Sequence, residues 1–132
     1  MNPLSSKAKG RRFQQYVRDM MLLKAPSLKP DDVRSTSMGV TGPDIQLSTA
    51  AQLIYPWVVE VKNQERINVW KSWEQTKAHL DVSDEYMDYM PIMFLKKNRS
   101  DALVVLHADD FFGLRFKLGQ QFVDFNFDTE EE

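Results

Sequence analysis

Asp44, Glu60 and Lys62 are the residues whose types and spacing fit one reaction centre. Pro43-Asp44 comes directly after the glycines of a Gly/Ser/Thr-rich loop (35–42) and opens a stretch, 44–48, that reads as a strand. Trp57-Val58-Val59-Glu60-Val61-Lys62 reads as a clearer strand, with Val59 and Val61 alternating against Glu60 and Lys62. Period-two geometry puts Glu60 and Lys62 on the same face of it. If the two strands pair as a hairpin, Asp44 approaches Glu60 at their shared end. Two carboxylates there make a hard oxygen site suited to Mg²⁺. A lysine alongside can orient or activate a water and stabilise charge on a phosphate. A carboxylate, carboxylate and lysine set around a divalent metal hydrolyses phosphodiesters. Glu-x-Lys on a strand is, taken alone, an exposed ion pair. The preceding Pro-Asp, a basic first helix and a glutamine on the next helix give it its meaning.

The surrounding elements form one alternating unit. A helix is expected over 5–24, capped by Ser5 or Ser6, with Phe13, Tyr16, Val17, Met20 and Leu23 as its buried stripe. Ala25-Pro26 ends it, because the residue before proline avoids the helical region. A short strand fits 33–36. A second helix fits 67–80, with Val69, Trp73, Thr76 and Leu80 as its core stripe. Two more strands, 92–96 and 102–106, flank the polar turn 97–100. Asp109 is expected to cap a short helix to about residue 116, and 121–127 to form an edge strand. The order is α-β-β-β-α-β-β-α: an α/β chain with a mixed central sheet flanked by helices.

Composition narrows the function classes. The chain has 132 residues, a size that one domain accommodates (1–132). It has no cysteine, which excludes disulfide scaffolds, thiolate zinc sites and cysteine nucleophiles. No apolar run approaches the roughly 18 residues of a membrane span. Residues 1–9 lack the apolar core of a secretory signal, so a cytoplasmic location is expected. The net charge of −2 is unevenly spread: residues 1–30 carry seven cations against one anion, and the last nine residues carry five anions and no cation. The basic segment reads either as a solvated helix face or as a site for a polyanion, commonly nucleic acid. The acidic tail, 128–132, reads as a mobile solvated end.

Gly42-Pro43-Asp44 followed by Glu60-Val61-Lys62, in this element order, resembles the PD-(D/E)XK nuclease superfamily and its restriction-endonuclease-like core. More narrowly, the chain resembles the small archaeal and phage-type Holliday junction resolvases. The resemblance covers about residues 7–107 and includes Lys9-Gly10 in the first helix, the loop residues Ser35, Ser37, Gly39 and Gly42, and the downstream Gln75. It implies Asp44, Glu60 and the Val61 carbonyl as ligands of Mg²⁺, with Mn²⁺ as a substitute. It implies Lys62 as the catalytic lysine and Gln75 as a supporting residue. Its members are homodimers that nick two strands of a four-way junction symmetrically, in DNA recombination and repair. A prokaryotic or phage-infected cell would be the setting. One departure stands out: Gln14 occupies a first-helix position where the family often carries a metal-reaching glutamate. A glutamine can coordinate through its carbonyl oxygen or hold a metal-bound water, but brings no charge. Another DNA nuclease on the same core (repair, restriction or end-processing), or a catalytically weakened DNA-binding relative, is the alternative.

Lys7, Lys9, Arg11 and Arg12 are candidate phosphate contacts, and Gly10 allows close backbone approach. Ser35 and Ser37 can hydrogen-bond a phosphate, though loop serines usually satisfy turn backbone. Lys71 is a candidate DNA contact on the second long helix, where Trp70 and Trp73 read as core or dimer packing. His79 and His107 read as ordinary surface or strand-end residues. The phenylalanines of the C-terminal segment exceed what a small sheet edge needs and suit a dimer interface.

Overall fold

A computed structural model describes residues 3–37, 39–81, 84–86 and 88–113. Helix α1 (Pro3–Lys24) leads through a single 3₁₀ turn (Pro30–Asp32) into β1 (Val33–Ser35) and β2 (Ile45–Leu47). A short helix, α2 (Thr49–Ile54), precedes β3 (Trp57–Asn63). Then come α3 (Val69–Ala78), two 3₁₀ turns, β4 (Met90–Lys96), β5 (Leu103–Leu106) and, at the end of the described residues, a helical stretch, α4, over 108–113. The expected edge strand and the acidic tail lie outside the described residues. No helix among the described residues is long and apolar enough to cross a membrane.

The chain is mixed α/β, with a mixed three-stranded sheet flanked by helices. β3 and β4 run parallel in the register Glu60↔Met93, and β4 and β5 run antiparallel. Parallel strands need a long crossover, and the stretch carrying α3 supplies it. Among the described residues, the order β3-β4-β5 leaves one edge of β3 free of strand partners in this sheet. The expected hairpin of β2 with β3 does not form. β2 pairs antiparallel with β1 instead, in the register Ser35↔Ile45. α2 accounts for the difference: Ser48 caps it by accepting from the Ala51 N–H at 3.1 Å, and six residues of helix turn the chain away from a hairpin path.

Phe13, Val17 and Met21 on α1 pack with Val33, Ile45, Ala51, Tyr55, Val59 and Ile92 into the main core. The buried stripe of α1 thus runs in four-residue steps, and Tyr16 and Leu23, expected inside, are exposed. Burying these apolar side chains stabilises the fold by roughly 1.5–3 kcal/mol for each large one. Alternation along β3 turns Val58, Glu60 and Lys62 to the other face. There α3 packs on β3 and β4 and buries Ser72, Trp73 and Thr76. Trp70, by contrast, is 81% exposed.

Among the described residues, three side chains tie α1 to the rest of the chain. Arg18 donates to the Val33 carbonyl at 2.8 Å and the Pro30 carbonyl at 2.9 Å, so this cation of the basic segment is structural. The Tyr55 hydroxyl donates to the Met21 carbonyl at 2.7 Å. The third tie, Gln14, reaches into the site. Neither Ser5 nor Ser6 is the N-cap, because α1 already begins at Pro3. Proline suits a first turn, where its missing N–H has no helical partner. At the other end of the described chain, His107 rather than Asp109 caps α4: its Nδ1 accepts from the Asp109 N–H at 3.1 Å.

Candidate functional site

The loop before Asp44 is built to a single shape. Gly42 has φ +122, a conformation that strains any residue with a Cβ. The Thr36 hydroxyl donates to the Pro43 carbonyl at 2.6 Å, and the Thr36 N–H donates to the Asp44 carbonyl at 2.8 Å. The loop therefore delivers Asp44 to the free edge of β3. The Asp44 N–H donates to the Val59 carbonyl at 2.9 Å, and the Asp44 carboxylate accepts from the Val61 N–H at 2.7 Å. One carboxylate takes the place of a missing neighbouring strand. The N–H and C=O of a strand residue lie on the same edge, so the Val61 carbonyl faces that edge too.

Glu60 stands beside Asp44. The two carboxyls are close enough to share a hydrogen bond when one is protonated. Burial, and then the charge of Glu60, push Asp44 up from 3.8 to about 7, against the Val61 N–H and Lys62, which favour the ionised form. Burial raises Glu60 as well, with Lys62 opposing. Two crowded carboxylates with raised pKa values attract a cation. On its other side, the carboxylate of Glu60 is held by His79: Nε2 and Oε2 are 2.8 Å apart. An ionised carboxylate only accepts, so this imidazole nitrogen donates.

Asp44, Glu60, Val61 and Lys62 line a cleft of about 580 Å³ together with Gln14, Gly10, Lys9, Lys7 and the chain from Asn63 to Glu65. Gln14 is buried, and its Nε2 donates to the Asp44 carbonyl at 2.9 Å and the Thr36 carbonyl at 3.3 Å. A glutamate could make neither bond. The amide is thus a structural requirement of this loop, and its oxygen is the end left to meet a ligand. Among the described residues no group of three or more His, Cys, Asp and Glu side chains could hold a metal. The donors at the β3 edge are two carboxylates, a backbone carbonyl and an amide oxygen. That set fits Mg²⁺, which binds through one or two carboxylates and keeps several waters, rather than zinc.

Of the other expected residues, Gln75 is exposed on α3 and does not line the cleft. His79, one turn further on at the C-cap of α3, makes the contact to the site that Gln75 was expected to make. Its signal in the sequence was the three-residue step from Thr76, which continues the buried stripe. Ser35, in β1, and the exposed Ser37 do not line the cleft, and Thr36 between them carries the loop's hydrogen bonds. Arg11 is exposed outside the cleft, and Arg12 faces a neighbouring concavity. Lys71 is exposed, and its N–H caps α3 by donating to the Asn68 side chain at 3.1 Å.

The chain matches no protein-family model, no curated protein and no solved structure in the comparisons made. The geometry of the β3 edge therefore carries the functional argument.

Proposed function

We propose that this chain is a Mg²⁺-dependent DNA endonuclease with a restriction-endonuclease-like core, resolving four-way junctions by paired nicks as a homodimer. The observation that carries the reading is the bond from the Val61 N–H to the Asp44 carboxylate. It fixes Asp44 beside Glu60 and within one cleft with Lys62.

Asp44, Glu60 and the Val61 carbonyl would hold Mg²⁺, which when bound neutralises the scissile phosphate and lowers the pKa of an attacking water. His79 holds Glu60 in position, so its carboxylate needs little reorganisation. Lys62 orients the attacking water or stabilises the charge that develops on the phosphate. Lys7 and Lys9, at the cleft wall, attract the DNA backbone. A dimer would bring two such clefts to two strands. Exposed Leu103 and Val104 on the outer strand β5, with Phe111 and Phe112 on α4, offer apolar surface for it.

The reading is tested by comparing a four-way junction, a linear duplex and a single strand of matched sequence in Mg²⁺. Symmetric nicks on the junction alone support the resolvase. Equal cutting of all three keeps the nuclease and removes the junction preference. Tight junction binding without cutting, in Mg²⁺ or Mn²⁺, leaves a DNA-binding relative.

A further inference from the structure

A second concavity, of about 480 Å³, adjoins the carboxylate cleft. Lys9 and Arg12 on α1, Lys96 at the end of β4 and Arg99 in the following turn all line it, with Asp101 as the one anion in its wall. None of the four cations forms an ion pair with a described residue. The chain as a whole has more carboxylates than cations, so leaving four like charges together does not reflect a shortage of partners. Their repulsion opposes folding, and an anionic ligand would offset it.

Two further observations bear on the ligand. Arg99 has φ 59 and is the only non-glycine residue with positive φ among the described residues. Glycine suits that backbone better, yet a guanidinium stands there. The turn is held by the Ser100 hydroxyl, which donates to the Lys97 carbonyl at 2.8 Å and accepts from the Lys97 N–H at 3.0 Å. Lys9 and Asn63 line both this concavity and the carboxylate cleft, so the two are continuous.

We propose that this concavity seats backbone phosphates of a DNA strand whose neighbouring segment crosses the carboxylate cleft. The inference rests on the nuclease reading above and adds the path of the strand. Four cations lining one concavity exceed what a single small anion needs. Two of them are arginines, whose planar forks bind phosphate oxygens in pairs. Tyr16, half exposed among the lining residues, offers a ring beside the path.

The test is the salt dependence of binding to fluorescent duplex and four-way junction DNA in EDTA, read by anisotropy. Lys96→Ala/Arg99→Gly is compared with Lys24→Ala/Lys29→Ala, which removes two exposed cations from outside both concavities. Two lost phosphate contacts should lower the slope of log K against log salt by about 1.8, at about 0.9 per contact. The control pair should leave the slope unchanged, and the loss should be alike for every sequence. Arg99→Gly alone relieves the turn, so it should raise the thermal midpoint while weakening binding. A loss of binding then cannot be put down to unfolding. If wild type binds DNA and Lys96→Ala/Arg99→Gly keeps the slope of the control, the phosphate seat is refuted and the nuclease reading stands. If wild type binds no DNA of any shape, both fail together.

Discussion

Replacing Asp44 with asparagine should make the metal-free protein more stable at pH 8. The carboxyl of Asp44 is pushed up from 3.8 to about 7, first by burial and then by Glu60. At about 1.36 kcal/mol per pH unit, that rise is a penalty of about 4 kcal/mol on the charged form. Local relaxation and water entry reduce such penalties, so a gain of about 2–4 kcal/mol is expected from removing the charge. Asparagine keeps an oxygen to accept from the Val61 N–H, and its NH₂ can donate to Glu60. The sign follows from proton binding. Between pH 3.8 and about 7 the folded protein keeps a proton that the unfolded chain has released, so wild-type stability falls as pH rises through that window. Urea denaturation in EDTA at pH 5 and pH 8 measures this. Asp44→Asn should exceed wild type at pH 8, and the advantage should shrink at pH 5. Adding Mg²⁺ should stabilise wild type and leave Asp44→Asn unmoved. An advantage that does not grow with pH would refute the picture of two crowded, buried carboxylates.

Three further outcomes are expected. His79→Ala removes the partner of Glu60 at 2.8 Å, and Mn²⁺ affinity measured calorimetrically should fall about 10–100-fold. His79→Gln should recover part of that loss. Gln14→Glu should destabilise the protein by about 3 kcal/mol in urea at pH 8, because a buried carboxylate would face the Asp44 and Thr36 carbonyls that the amide now satisfies. A Gln14→Glu variant as stable as wild type would mean that the amide does not hold the loop. Thr36→Val keeps the shape but loses the 2.6 Å bond to the Pro43 carbonyl. It should cost about 1–2 kcal/mol and weaken Mn²⁺ binding through the displaced Asp44.

The grouping of Asp44, Glu60 and Lys62 was legible because it rests on local rules. A strand alternates sides, so Glu60 and Lys62 had to share a face, and a glycine loop ending in Pro-Asp had to turn sharply. β3, expected over 57–62 and found as Trp57–Asn63, was legible for the same reason. How Asp44 reaches Glu60 was not legible. A hairpin was the simplest route, but β2 pairs with β1, and a single carboxylate bridges to β3. That choice depends on the six residues of α2, too short for helical periodicity to register. Gln14 looked like a weakened metal ligand when read by position. Its two bonds to backbone carbonyls show an additional task that only the loop's path reveals. His79 and Gln75 lie one turn apart, and packing between α3 and β3, rather than spacing, decides which of them meets Glu60.

The central claim is that the β3 edge hydrolyses phosphodiesters, and single-turnover cleavage of a labelled four-way junction in Mg²⁺ tests it most directly. Wild type should give paired, symmetric nicks. Lys62→Ala should give none while binding the junction nearly as tightly. Cleavage by Lys62→Ala at the wild-type rate, or failure of wild type to cut any DNA in Mg²⁺ or Mn²⁺, would contradict it.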